Sequence, residues 1–160
     1  MNFNNIESLK ENNFQGFTSI EELWANNNML PNEKGVYLVL NKSENPNFLE
    51  VGVGCFYQGI NPNVLINTLI DEFVPSLLVA YIGKANNLRD RIKQYLRFGR
   101  GRNAPHRGGR YIWQLENHQD LLFCWKILDT DENPKLVESN LINDYKEQFN
   151  NRRPFANLIG

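Results

Sequence analysis

Nine lysines and arginines stand between Lys84 and Arg110 (Lys84, Arg89, Arg91, Lys93, Arg97, Arg100, Arg102, Arg107 and Arg110) against one acid, Asp90, a local charge of +8. The rest of the chain holds eight basic and seventeen acidic residues, so the formal net charge of −1 conceals a strongly polarised sequence. Tyr95, Phe98 and His106 are interleaved with the cations. A basic patch beside aromatic side chains and histidine is the usual electrostatic footprint for a phosphate backbone. Charge alone is equally compatible with a solvated helix face. His106 adds an imidazole that, unperturbed, titrates close to neutrality and so suits proton transfer; a plain DNA contact from a basic loop is the other reading.

The elements that must carry these residues follow from spacing. Leu77–Ile82 has the length and branching of a strand, and Gly83 permits a tight exit because it lacks a Cβ. Asn86 or Asn87 can cap a helix whose apolar residues Leu88, Ile92, Tyr95 and Leu96 recur at helical spacing. Gly99, Gly101, Gly108 and Gly109 make the following Arg/Gly-rich segment a loop. Upstream, Gly35–Leu40 reads as a strand, and Val64–Phe73 as a short amphipathic helix with Pro62 at its start. Downstream, Leu121–Leu128 reads as a third strand, and Asp131 or Asn133 with Pro134 opens a last helix reaching about Phe149. Its apolar stripe is Val137, Leu141, Tyr145 and Phe149, with Glu138 next to it. Residues 1–34 read as a helical extension in which Thr18 or Ser19 caps a helix through Trp24.

Composition excludes several classes. With 160 residues, 41% of them hydrophobic and 12% aromatic, the chain suits one folded domain. No run approaches the roughly 20 apolar residues of a membrane span, and the N-terminus lacks the blocks of a signal peptide. Cys55 and Cys124 have no metal-ligand spacing and read as buried thiols in a reducing compartment, hence a cytoplasmic protein. Gly52-Val53-Gly54 lacks the third glycine and following helix of a dinucleotide-binding turn.

Taken in order, Gly35-Val36-Tyr37, then Tyr81-Ile82-Gly83, then Arg91 ten positions past Tyr81, resemble the GIY-YIG nuclease superfamily. His106 before Gln114-Leu115, Glu138 in the last helix and Asn157 in Pro154-Phe155-Ala156-Asn157 continue the likeness, which spans roughly residues 35–158. One feature departs from it: the two tyrosine motifs are usually joined by a short hairpin, whereas Tyr37 and Tyr81 are 44 residues apart, so that about 42–76 must be an insertion. The resemblance implies an α+β fold with a small three-stranded, mainly antiparallel sheet flanked by helices, preceded by the 1–34 extension and occupying 35–160.

It also implies a metal-dependent DNA endonuclease, with RNA not excluded and a catalytically weak nucleic-acid-binding module as the alternative. Glu138 would hold Mg²⁺ or Mn²⁺, since a hard carboxylate suits an ion that keeps most of its waters. Arg91 would offset charge on the phosphate, and Tyr37, Tyr81 and His106 would share activation of water and proton transfer. A free phenol with a pKa near 10 is a poor base at neutral pH, so either tyrosine would need a nearby cation to depress that value. Asn157 would tie the C-terminal tail to the site, with Gly35 and Gly83 structural beside it. Lys84, Arg89, Lys93, Arg97, Arg100 and Arg102 would bind backbone phosphates. A chain of this length has little room for a specificity domain, which leaves structure selectivity, weak specificity, a homodimer or a targeting partner to choose the cut.

Overall fold

The computed structural model describes residues 1–158. The first elements are helix α1 (Ile6–Glu11), strand β1 (Gln15–Ser19), helix α2 (Ile20–Ala25) and strand β2 (Gly35–Leu40). They are followed by α3 (Ile66–Glu72), β3 (Val79–Ala85), α4 (Leu88–Phe98), β4 (Leu122–Ile127) and α5 (Pro134–Gln148), with short 3₁₀ turns between. The sheet has four strands in the order β1-β4-β2-β3, every pairing antiparallel. This corrects the expected three: the fourth comes from the N-terminal extension, which is therefore not purely helical.

β2 is central and buried along its whole length, which explains its unbroken apolar run. Side chains alternate across a strand. Val36, Leu38 and Leu40 accordingly enter one core with Cys124, Leu9 and Tyr145 of α5. Tyr37 and Val39 enter the other, with Phe123, Trp125, and Leu88, Ile92 and Tyr95 of α4. The extension contributes to both layers, through Leu9 and Phe14 on one side and Ile20 and Leu23 on the other.

The helix caps follow their sequence signals. Ser19 and Glu22 form a reciprocal capping box at α2, Asn87 accepts from Asp90 N–H at α4, and Asn133 accepts from Lys135 N–H at α5, with Pro134 in the first turn. Within 42–76, α3 is shorter than expected and follows Leu65, not Pro62. β3 runs later than expected, so Gly83 lies inside the strand and not at its exit. β3 also carries a bulge: Leu40 faces Val79 and Val39 faces Tyr81, leaving Ala80 as the extra residue. Among the described residues, no helix is long and apolar enough to cross a membrane.

Candidate active site

The β2–β3 register places Tyr37 opposite Gly83 and Val39 opposite Tyr81, so both tyrosines project from the same face of neighbouring strands. Their ring centroids are 5.9 Å apart. The Tyr37 ring lies across Gly83, where an added Cβ would sit 2.5 Å from Tyr37 Cζ. Gly83 is thus required by the tyrosine packed on it, and no turn is involved. At Gly35 a Cβ would collide with the Lys126 carbonyl and Leu88, so that glycine lets β4 and α4 close on β2.

α4 supplies Arg91 and, one turn on, Tyr95. The Tyr95 ring stacks on His106 at 3.6 Å and 3°, and its hydroxyl donates to the Gly109 carbonyl at 2.7 Å. His106 lies in an irregular segment, as expected, but is fully buried, which removes the reading of it as a plain DNA contact. Its Nε2 is 2.8 Å from Tyr37 Oη, while Nδ1 has no partner. Burial, then the nearby Arg91 charge, holds this imidazole well below the usual histidine range, so it is neutral. A buried orphan N–H is rarer than an orphan acceptor, which favours the tautomer whose Nε2–H donates to Tyr37.

Burial pushes all three phenols up: Tyr37 and Tyr95 well above the ordinary tyrosine value, and Tyr81 above it. Arg91 pulls each of them down, but by less than burial raises them. The cation expected to depress a tyrosine is therefore in place, and desolvation outweighs it. Tyr81 alone of the three lines an open cleft.

That cleft, of about 480 Å³, lies between β3, α5 and the C-terminal tail, and Glu138 lines it together with Tyr81, Lys84, Arg107, Arg110 and Lys135. The Glu138 side chain is 17% exposed and its Oε2 is 3.0 Å from Lys84 Nζ. Among the described residues, no group of three or more histidines, cysteines or carboxylates could cage a metal. One half-buried carboxylate on an open cleft instead fits a hydrated hard ion that takes few protein ligands. Arg91 faces an adjoining hollow of about 450 Å³ that shares Lys84 and Lys135 with the cleft. Its guanidinium donates to Gln94 Oε1 and to the Pro105 carbonyl, immediately before His106.

Asn157 completes the edge. Its Oδ1 accepts from Ile82 N–H at 2.9 Å and its Nδ2 donates to the Ile82 carbonyl at 2.8 Å, satisfying outward-facing groups of the edge strand. The Ala80 carbonyl at the bulge accepts from Ala156 N–H. Tyr37, Tyr81, Arg91, His106, Glu138 and Asn157 are thus gathered around β3. The expected phosphate-binding set is not gathered in the same way. Lys93, Arg97, Arg100 and Arg102 are exposed, Arg100 lying 4.8 Å over the Trp24 ring. Arg89 is spent on the Leu30 and Asn28 carbonyls, and Lys84 on Glu138. Arg107, Arg110 and Lys135 went unremarked in the sequence as cleft residues. For Lys135 the signal was present, since it precedes Glu138 by three positions and so shares its helix face.

The family model of the GIY-YIG catalytic domain matches residues 75–153. No curated protein and no solved structure matches the chain. The matched segment contains Tyr81, Arg91, His106 and Glu138, while Gly35–Tyr37 and Asn157 lie outside it and are brought against it by strand register and by the Ile82 hydrogen bonds. The matched segment, together with the antiparallel sheet and both tyrosine motifs in one place, supports membership of the GIY-YIG nuclease superfamily.

Proposed function

We propose that this chain is a metal-dependent DNA endonuclease and that the cleft between β3 and α5 is its hydrolytic site. The observation that carries the reading is the convergence of Tyr81, Glu138 and several cations on one open cleft, with His106 packed against Tyr81 and Arg91 on the adjoining hollow. Glu138 would hold Mg²⁺ or Mn²⁺, an ion that when bound polarises the scissile phosphate and acidifies water. Lys84, now paired with Glu138, is long and half-exposed, and can turn from the carboxylate to a phosphate oxygen.

Tyr81 is the hydroxyl able to touch a substrate, so it orients the attacking water or the phosphate. Tyr37 and His106 act behind it as positioning residues: the Nε2–H of His106 fixes the Tyr37 hydroxyl, and both rings pack against that of Tyr81 and hold it at the cleft. Arg91 neutralises charge gathering on the phosphate and, braced by Pro105, keeps His106 in register. In the net reaction, water's oxygen bonds to phosphorus, the bond to one sugar oxygen breaks, and that oxygen leaves with a proton.

One observation favours a nucleic-acid-binding module without turnover: the carboxylate that would take the ion is already paired with Lys84. Incubation of supercoiled plasmid with and without Mg²⁺ or Mn²⁺ separates the readings. Metal-dependent nicking is expected. Plasmid binding with no nicking under either metal would establish the binding module instead, and single-stranded RNA run alongside tests the choice of DNA.

A further inference from the structure

Beyond the cleft lies a second groove, of about 610 Å³, that no part of the account above uses. Arg110, Arg152 and Arg153 line it, with Glu72 of α3 as the one carboxylate. It shares Arg110, Asn157 and Leu158 with the Glu138 cleft, so the two are continuous. Among the described residues the ion pairs are Lys10–Glu7 and Lys84–Glu138, which leaves all three arginines without a carboxylate.

The tail that presents Arg152 and Arg153 is held on both sides. Asn150 and Asn151 adopt left-handed backbone angles, with φ of 52° and 63°, turning the chain sharply out of α5. Asn151 N–H donates to the Lys146 carbonyl and Arg152 N–H to that of Phe149. Immediately afterwards Phe155 is buried among Phe48, Phe73 and Tyr111, and Ala156 is hydrogen-bonded to β3. Two exposed arginines are thus fixed at their backbones while their guanidinium groups stay free to fork onto phosphate.

Resting on the nuclease reading for its direction, we propose that this groove is a second phosphate-binding tract. It would receive the sugar-phosphate backbone on one side of the scissile bond, with Arg152 and Arg153 as its contacts and Arg110 at the junction with the cleft. The site would then be fed from the C-terminal tail as well as from α4. Glu72, supplied by the 42–76 segment, opposes the phosphate and moderates its affinity.

The test is binding of a fluorescein-labelled duplex in EDTA across a salt series, for the native chain, for Arg152→Gln with Arg153→Gln, and for Arg97→Gln with Arg102→Gln as a second basic pair. Each lost phosphate contact lowers the slope of log affinity against log salt by about 0.9. The tail variant should therefore lose about 1.8 of slope, so that its drop in affinity between about 50 and about 200 mM salt is roughly tenfold smaller. Nicking by this variant should fall at limiting plasmid and recover as plasmid is raised.

An unchanged slope in the tail variant, with a lowered one in the Arg97 and Arg102 variant, overturns the tract and leaves the nuclease reading standing. A lowered slope in a chain that never nicks keeps the tract and removes the nuclease. Displacement of the duplex by inorganic phosphate at matched ionic strength would mark a small-anion site and also overturn it.

Discussion

Tyr81 and Glu138 face one cleft from opposite sides, and their surroundings differ in kind. Tyr81 packs with three further rings (Tyr37, Tyr95 and His106) with almost no exposure, and every titratable group among the four is held in its neutral form by burial. Around Glu138, the side chains are long, charged and partly in water, and its one ion pair is with Lys84. The first region fixes positions to within the tolerance of a packed core, where a single added methyl is felt. The second supplies charge at low conformational commitment, where exposed ion pairs contribute little to stability. On the proposed nuclease reading, catalytic geometry and electrostatic attraction would be carried by separate parts of the same cleft, and substitutions in the two should have separable effects.

The largest effect on the packed region is expected from Gly83→Ala, whose methyl must displace the Tyr37 ring. Overpacking of this kind costs about 1–3 kcal/mol, read as a lowered denaturation midpoint with an unchanged slope in urea. An unaltered midpoint would mean the ring is not seated on Gly83. Tyr37→Phe comes next: it removes the hydroxyl paired with His106 Nε2 and leaves both ring nitrogens unpartnered, at about 1–2 kcal/mol in the same measurement.

A smaller effect arises from pH. His106 is depressed in the fold relative to the unfolded chain, so the unfolded state binds more protons as acid is added. The stability this group contributes is complete above its unfolded value, about 6.5, and is lost as pH falls through that value toward the folded one. His106→Asn should flatten the decline below about pH 6.5, and an identical pH profile in the two proteins would refute the assignment. The tyrosines have the opposite sign, their contribution being lost as pH rises past about 10. Smallest of all on the fold is Lys93→Gln with Arg97→Gln, expected to shift stability by no more than about 0.5 kcal/mol. The same pair should lower the salt slope of DNA binding by about 1.8, and a change confined to stability would reverse the contrast between the two regions.

Much of this division is visible in the residues themselves. Capping asparagines, the apolar run of Gly35–Leu40 and the order of the tyrosine motifs announce β2, β3, α4 and α5, because local propensity and burial point the same way there. β1 is invisible for a physical reason. Gln15–Ser19 is short and half-exposed, passes through positive φ at Gly16 and Phe17, and becomes a strand only because β4 offers an edge. Gly83 misleads in the opposite sense, since a turn and a ring-stacking position ask for the same missing Cβ. His106 sits in a polar, glycine-rich stretch whose composition signals exposure, and only tertiary packing against Tyr95 reveals the burial. Arg89 and Lys84 look like neighbouring phosphate ligands in sequence, but a carbonyl pair and a carboxylate claim them in the fold.

The central claim, that the cleft between β3 and α5 hydrolyses DNA, is tested most directly by plasmid nicking in Mg²⁺ with the native chain, Glu138→Ala and Arg91→Ala side by side. The account predicts metal-dependent nicking by the native chain and a loss of about a hundredfold or more in each variant, with plasmid binding retained. Equal cutting by all three proteins would contradict it.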